Sequence, residues 1–231
     1  MKVAIIPARG GSKRIPRKNV KTFCGKPMIA YSIEAAINSK IFDAVYVSTD
    51  DKEIMTIAKE LGAEVPFQRP EYLADDHTAT VPVIKHAIIE IERQGRSIEV
   101  ACCLYATAPF VTPDRLKDAY QLLTSGDYDY SFPVSEFDYA IQRALMFSDG
   151  AQVSMIDSNQ YEKRSQDLDQ GYHDVGQFYF GWKNAWLEEK PILAAKSAGL
   201  KIPRKFSQDI DTAEDWEFAE FLFTYFRDRN C

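Results

Sequence analysis

The feature that most constrains the fold is the regular alternation of strand-like and helix-like segments over residues 1–134. Short runs of apolar and β-branched residues predict strands at 2–6, 44–48, 63–67, 99–105 and 128–134. The stretches between them predict helices at 27–39, 51–61 and 80–95, and one more that begins after Thr112. This alternation favours an α/β fold with a doubly wound, mostly parallel sheet, which binds ligands beyond the carboxyl ends of its strands.

Two details of these helices can be predicted from single residues. Asp50 is expected to cap the helix of 51–61, because Glu53 follows three residues later as in a capping box. In the helix of 27–39, Ile37 and three other apolar residues recur at helical spacing. We therefore expect Ile37 to face the core with them.

Residues 135–175 interrupt the rhythm. Their first half resembles a β-hairpin around Asp149 and Gly150, and the second half is polar and irregular. We expect an excursion from the main sheet, followed by a returning strand at 176–182 and a closing helix at 209–229.

Composition excludes several classes of function. The 231 residues carry a formal net charge of −6, which disfavours a general nucleic-acid or membrane surface because such surfaces are broadly basic. The length suits one domain, residues 1–231, and the 45% apolar content suits a real core. No apolar run reaches the roughly 20 residues of a membrane span, so we expect a cytoplasmic protein.

The cysteines form no C-x-x-C pair. Cys102 and Cys103 are neighbours in an apolar run, and Cys24 and Cys231 stand alone. We expect reduced thiols that serve as small core residues.

The loop after the first predicted strand is basic although the chain is acidic. Gly10 and Gly11 allow the backbone to approach an anion closely, and Arg9, Lys13 and Lys18 supply cations. The loop matches neither the Walker pattern nor G-x-G-x-x-G. Its position at the ligand-binding edge favours a phosphate site over the alternative, a solvated charged loop.

A second candidate site consists of Asp209 and Asp211. In extended backbone, residues two apart point to the same side, so both carboxylates offer hard oxygen ligands of the kind that Mg²⁺ prefers. The alternative is that both acids only decorate a helix entrance, because Thr212 is a good N-cap. The spacing of the two acids does not decide between a metal site and a helix entrance.

Five segments, in this order, resemble the signature of the CMP-sialic acid synthetase family: IPARGGSKRIPRKN (6–19), GKPMIAYSIEAAINS (25–39), VSTDDKEI (47–54), RPEYLADDHTAT (69–80) and DIDTAEDW (209–216). The resemblance covers essentially the whole chain. It implies a Rossmann-like nucleotide-diphospho-sugar transferase fold. It also implies transfer of CMP from CTP to an acidic 2-keto sugar with release of pyrophosphate, Mg²⁺ as cofactor, and a homodimer formed through 135–175.

The resemblance also implies residue roles. The triphosphate would be held by Arg9, Ser12, Lys13 and Lys18. The nucleotide would contact Asn19, and its base and ribose would lie near Arg69 and Thr80. The catalytic residues would be Arg9, Lys18 and Asp211, and the metal would be bound by Asp209 and Asp211. A surface salt bridge remains an alternative role for Arg69, and a helix cap for Thr80.

Two positions depart from the usual pattern of this family. Tyr105, in YATAP, replaces a Gln, and His173, in HDVG, replaces an Arg; both are associated with the sugar. Together with 136–145 and 165–181, these departures most resemble family members that use pseudaminic acid, for surface glycan or flagellin glycosylation. Tyr105, His173 and Gln177 are candidate sugar contacts, although a hydrogen-bonded loop histidine is an equal interpretation of His173.

Other substrates and one other class of function remain open. N-acetylneuraminate, legionaminate or an eight-carbon acid could replace pseudaminic acid. A non-catalytic nucleotide-binding module could share the fold. The sequence does not choose the cation for the sugar carboxylate among Arg143, Lys163, Arg164 and Arg204.

Overall fold

The computed structural model describes residues 1–194 and 196–229. The strands are β1 (Lys2–Pro7), β2 (Thr22–Phe23), β3 (Lys26–Pro27), β4 (Ala44–Ser48), β5 (Val100–Leu104), β6 (Tyr130–Glu136), β7 (Leu145–Phe147), β8 (Val153–Met155), β9 (Tyr172–Asp174), β10 (Phe178–Trp182) and β11 (Ser197–Lys201). The α-helices are α1 (Met28–Ser39), α2 (Lys52–Glu60), α3 (Thr80–Arg93), α4 (Pro113–Thr124), α5 (Lys183–Leu187) and α6 (Ala213–Arg229). No α-helix among the described residues is both long and apolar enough to cross a bilayer.

The main sheet has seven strands in the order β11-β6-β10-β5-β1-β4, with β9 added to β6. Strand β1 runs parallel to β4 and β5, and β6 runs parallel to β11. Only β10 and β9 run antiparallel to their neighbours. The predicted α/β fold with a mostly parallel sheet is therefore confirmed.

Helices cover both faces of this sheet. Because side chains alternate along a strand, Ala4 and Ile6 of β1 face one apolar cluster, and Val3 and Ile5 face the other. The first cluster lies under α1, α2 and α4, and the second lies under α3 and α5. All five residues of β5 are buried, as expected of a central strand covered on both faces.

The neighbouring cysteines of β5 enter opposite clusters. Burial raises the pKa of both the Cys102 and the Cys103 thiol, so both stay protonated. Cys24 is also a free thiol. The prediction of reduced core cysteines is confirmed for the pair, whereas Cys231 lies outside the described residues.

Three local predictions were wrong. Asp51, not Asp50, caps α2: its carboxylate accepts the backbone N–H of Glu53 and of Ile54, both at 3.0 Å. Residues 63–67 form no strand beyond one bridge from Glu64 to Tyr46, because Pro66 lacks the N–H that a longer ladder needs. Ile37 is 43% exposed at the edge of the otherwise buried face of α1.

The excursion contains the predicted hairpin: β7 and β8 pair antiparallel around a turn in which Gly150 has a φ of +66°. The two ends of the excursion belong to the main sheet, because Ser135 of β6 pairs with His173 of β9. The returning strand and the closing helix both form, but the strand begins at Phe178 and the helix at Ala213, later than the predicted starts at 176 and 209. The apolar side chains that the hairpin leaves exposed are Leu145, Met146, Phe147, Val153 and Ile156.

Candidate active site

A cavity of about 470 Å³ lies beyond the carboxyl ends of β1 and β5, where the strand pattern predicts a ligand site. It is lined by most of the residues that the sequence nominated: Arg9, Ser12, Lys13, Lys18, Asn19, Arg69, Thr80 and Tyr105. These residues come from distant parts of the chain. The sheet brings them together because β1 and β5 are adjacent.

The basic loop is held against the start of α2. The Gly10 N–H donates to Asp50 Oδ1 at 3.0 Å, which explains why Asp51 is left to cap the helix. Arg17, with a φ of 58°, donates to both carboxylate oxygens of Asp51 at 2.6 and 3.0 Å and pairs with Glu53. A Cβ added at Gly10 would lie 2.8 Å from Asp51 Oδ2, so only glycine permits this close approach.

Asn19 supports the loop from inside. It is 8% exposed, and its Nδ2 donates to the Arg9 carbonyl at 2.9 Å. Its amide thereby sets the direction in which the backbone of Arg9 leaves β1. Asn19 still forms part of the cavity wall.

The cations of the loop face carboxylates. Arg9 NH1 donates to the Asp75 carbonyl at 2.7 Å and to Asp76 Oδ1 at 2.6 Å, and Lys13 pairs with the other oxygen of Asp76. Hydrogen bonds lower the pKa of Asp76; the one from Lys13 has the larger effect and the one from Arg9 the smaller. Asp76 is therefore an anion in the place where the loop was predicted to receive phosphate.

Lys18 lies between the loop and the chain ahead of α6. Its Nζ donates to the Ile210 carbonyl at 2.7 Å and lies 3.3 Å from Asp211 Oδ1. Arg14 contacts the other oxygen of Asp211 at 2.8 Å. The structure thus brings the predicted phosphate cation Lys18 next to the predicted metal ligand Asp211.

Arg69 is a buried cation. It is 4% exposed, and its Nε donates to Ser48 Oγ at 3.1 Å while NH2 donates to the Ser48 carbonyl. Burial lowers its pKa to about 10, against an opposing attraction from Asp50. No salt bridge holds Arg69 among the described residues, so the alternative role in a surface salt bridge is wrong.

Thr80 and Tyr105 meet across the floor of the cavity. Their hydroxyl oxygens lie 2.9 Å apart, and burial raises the pKa of Tyr105 to about 12. Thr80 is the first residue of α3, whose N-cap is Ala79 without any side-chain cap, so the capping alternative for Thr80 is wrong. Tyr105 also packs against Tyr179, with ring centroids 5.7 Å apart.

The donor set around Asp209 and Asp211 fits a divalent cation that is completed by a ligand. Partial desolvation, and then the neighbouring Asp211 carboxylate, raise the pKa of Asp209. A bound divalent cation would relieve that repulsion. The described residues contain no cluster of three His, Cys, Asp or Glu suited to a metal, so phosphate oxygens and water would have to supply the remaining ligands.

The sugar candidates are divided between two places. His173 lines a larger cavity, of about 1020 Å³, together with Arg143 and Arg204. Its Nδ1 lies 2.8 Å from the Asp174 carbonyl, so it is hydrogen-bonded and also faces the cavity. Gln177 is 1% exposed and donates to the Phe206 carbonyl at 2.6 Å, behind the cavity surfaces.

Sequence reasoning missed Asp76, Asp51 and Arg17. A signal for Asp76 is present in RPEYLADDHTAT, where two adjacent acids lie between Arg69 and Thr80, the residues that the resemblance places at the base and ribose. Arg17 lies in the same basic loop, but the sequence suggests no role for it that differs from that of its basic neighbours. Its positive φ and its partners on α2 could not be inferred without the fold.

Comparison with known proteins agrees with this geometry. The family model described as cytidylyltransferase matches residues 3–224. A pseudaminic acid cytidylyltransferase of Campylobacter jejuni is 48% identical over 96% of this chain and 95% of its own length. N-acylneuraminate cytidylyltransferase A of Danio rerio is 34% identical, over 96% of this chain and 51% of its own.

A solved structure shares the fold at low identity. A CMP:2-keto-3-deoxy-manno-octonic acid synthetase complexed with CTP superposes with a TM-score of 0.73 at 15% identity, over 97% of this chain and 98% of its own. Fold, family model and relatives therefore agree. The chain belongs to the cytidylyltransferase family.

Proposed function

We propose that this protein transfers CMP from CTP to pseudaminic acid, forming CMP-pseudaminic acid and pyrophosphate. The observation that carries the proposal is the convergence of Arg9, Lys13 and Lys18 with the buried Arg69 on one cavity. Two relatives named pseudaminic acid cytidylyltransferase are 48% and 47% identical to this chain, and a third relative, which combines that activity with a hydrolase, is 37% identical. N-acylneuraminate cytidylyltransferase A of Danio rerio is 34% identical. This difference supports pseudaminic acid over the alternatives.

The loop would bind and orient the triphosphate. The anomeric hydroxyl of the sugar attacks the α-phosphorus in line, and negative charge grows on the equatorial oxygens and on departing pyrophosphate. Arg9 and Lys18 are our choices for stabilising that charge, with Ser12 and Lys13 holding the phosphates. Lys18 already lies within 3.3 Å of Asp211, so nucleotide binding would exchange one anionic partner for another.

Asp209 and Asp211 would hold the metal, for which we propose Mg²⁺. The cation would neutralise phosphate charge and the attacking oxygen when bound. Lys18 and Arg14 now occupy both oxygens of Asp211, and their transfer to phosphate would free that carboxylate.

The nucleoside would lie against Arg69, Thr80 and Asn19. Arg69 presents a guanidinium that is already desolvated, and its hydrogen bonds to Ser48 keep its plane in one orientation. A fixed, buried donor suits recognition of a base edge better than a mobile surface cation does.

The sugar would extend from Tyr105 toward His173. Tyr105 lines the smaller cavity, and His173 lines the larger one with two arginines that could receive a carboxylate. Of these, Arg204 is paired with Asp138, and Arg143 donates to the Lys163 carbonyl at 2.9 Å. Gln177 would contact the sugar only if its amide left the Phe206 carbonyl. Otherwise it would position the Phe206 segment.

We further propose one catalytic domain over residues 1–231 that works as a homodimer. The support is the exposed apolar hairpin of the excursion, which would bury its side chains against a second copy. Free thiols suit a reducing compartment such as the cytoplasm.

Pyrophosphate release tests this proposal. The protein is incubated with CTP, Mg²⁺ and one sugar at a time: pseudaminic, N-acetylneuraminic or legionaminic acid. We expect release with pseudaminic acid. Release only with another sugar would overturn the proposal that pseudaminic acid is the substrate. No release from folded protein would favour the alternative of a non-catalytic nucleotide-binding module.

A further inference from the structure

One carboxylate occupies two of the cations that the triphosphate is proposed to use. Asp76 accepts from Arg9 NH1 at 2.6 Å with one oxygen and pairs with Lys13 through the other. Asp76 is separated from Arg9 by 67 positions in the sequence. The contact therefore exists because of the fold and spans the mouth of the cavity.

The turn that carries Asp76 is stable without this contact. Asp75 Oδ1 accepts the backbone N–H of His77 at 2.9 Å and that of Thr78 at 2.6 Å. The Thr78 hydroxyl donates to the same oxygen at 2.7 Å and is also 3.3 Å from the Tyr72 carbonyl. Asp76 can therefore move away from the cations while the turn stays formed.

Neither cation has another carboxylate partner among the described residues. Lys13 is 82% exposed and ends on Asp76 alone, and Arg9 otherwise donates only to the Asp75 carbonyl. An incoming anion therefore competes with Asp76 for the charge of both cations. Since Asp76 is part of the chain, it competes at a high effective concentration that does not fall with dilution.

We propose that Asp76 is an internal competitor of the phosphate chain, which weakens the binding of a polyphosphate at Arg9 and Lys13 and does not affect a nucleotide with a single phosphate. A triphosphate or pyrophosphate must displace this carboxylate from Arg9 and Lys13. CMP lacks the β- and γ-phosphates that these cations would hold, so it does not compete with Asp76. After transfer, Asp76 returns to these cations and speeds the departure of pyrophosphate. This inference rests on the proposed function, because it assigns Arg9 and Lys13 to the phosphate chain.

Binding without metal tests it. Affinities for inorganic pyrophosphate, CTP and CMP are measured by calorimetry in EDTA at constant ionic strength, for the wild type, Asp76→Asn and Asp76→Glu. Because the competitor is removed, Asp76→Asn is expected to bind pyrophosphate and CTP about three- to tenfold more tightly and CMP equally. Asp76→Glu should stay near the wild type.

A matched control separates competition from net charge. Glu71→Gln removes one charge from the same exposed segment, and Glu71 contacts no cation in the part of the chain described. It should change no affinity by more than about twofold. Thermal melting of each variant confirms folding, and Asp76→Ser repeats the test with a different neutral side chain.

The outcomes separate the two proposals. Unchanged or weaker pyrophosphate binding in Asp76→Asn and Asp76→Ser would overturn the role of Asp76, as would equal tightening of CMP or of Glu71→Gln. If the neutral variants bind pyrophosphate more tightly but no pyrophosphate is released from CTP and Mg²⁺ with any of the three sugars, the competition by Asp76 stands and the proposed function fails.

Discussion

At the scale of single residues, two adjacent glycines of the basic loop have different roles. A Cβ at Gly10 would lie 2.8–2.9 Å from Asp51, whereas a Cβ at Gly11 would meet nothing within 4 Å. Asp51 cannot yield easily, because its carboxylate caps α2 and receives Arg17. The first glycine is thus a packing requirement and the second is not.

Gly10→Ala is therefore expected to push the loop away from α2. We predict a loss of about 1–3 kcal/mol in the free energy of unfolding and a KM for CTP raised about tenfold, because the cations shift with the loop. Gly11→Ala is the control and should change the stability by less than about 0.5 kcal/mol. Urea unfolding and steady-state kinetics measure both, and equal effects of the two variants would contradict the packing role of Gly10.

The Arg17–Asp51 pair gives a pH dependence of known sign. Hydrogen bonding by Arg17 lowers the pKa of Asp51 from 3.8 to about 2. A carboxyl whose pKa is lowered in the folded state adds stability above its unfolded pKa and loses it as the pH falls through the folded pKa. This contribution is complete above about pH 4 and is lost toward pH 2.

Arg17→Met should reveal that window. We expect a loss of about 1–2 kcal/mol in the free energy of unfolding at pH 7, a figure already reduced for the partial exposure of the guanidinium. This loss should become smaller as the pH falls from 4 to 2. Arg93→Met removes an exposed pair on α3 and should cost less than about 0.5 kcal/mol at any pH. A loss of equal size at pH 2 and pH 7 would mean that packing of the side chain, not charge, stabilises the loop.

At the scale of elements, the sequence predicted what local patterns control. The periods of strand and helix located the five longest helices and the strands β1, β4, β5, β6 and β10, because burial of one face demands these periods. They did not predict the edge strand β11 or the short helix α5. The prediction of a strand at 63–67 was wrong because Pro66 has no N–H for the ladder. The prediction of the α2 cap was wrong because Asp50 and Asp51 have the same side chain, and only the fold shows that Asp50 accepts the Gly10 N–H. The cavity wall was predictable from motifs, but its internal ion pairs join residues far apart in sequence.

The β7–β8 hairpin is the element whose role is most open to test. Its Phe147 is 79% exposed and lies beside other exposed apolar side chains. Phe147→Glu is expected to convert the proposed dimer to monomers, because a charge would be buried at the interface. The control is Phe221→Glu on α6, 65% exposed in the monomer, which should leave the dimer intact.

Sedimentation equilibrium at micromolar concentration distinguishes these variants. A wild type that sediments as a monomer would end the dimer proposal. A dimer that survives Phe147→Glu but not Phe221→Glu would move the interface from the hairpin to α6.

At the scale of the whole molecule, the two departures from the family pattern are physically connected. Tyr105 packs against Tyr179, and the Tyr179 hydroxyl donates to Asp174 Oδ2 at 2.6 Å, next to His173. Asp174 and Tyr179 are five positions apart, an odd offset that would point their side chains to opposite faces of a continuous strand. Gly176, with a φ of +65°, interrupts the chain between β9 and β10 and allows the two side chains to meet. Side-chain contacts therefore lead from Tyr105 in the wall of the smaller cavity to Asp174, the neighbour of His173 in the wall of the larger one.

A connected pair of this kind is expected to respond as a unit. Tyr105→Gln and His173→Arg should each lower kcat/KM for pseudaminic acid about tenfold or more, and neither alone should confer turnover of N-acetylneuraminate, because each leaves the other half of the contact in place. The double variant should lose less than the sum of the two in free energy, by about 0.5 kcal/mol or more. Steady-state kinetics with both sugars completes the cycle. Additive losses would show that the two positions contact the sugar independently, and that the tyrosine pair between the cavities only packs.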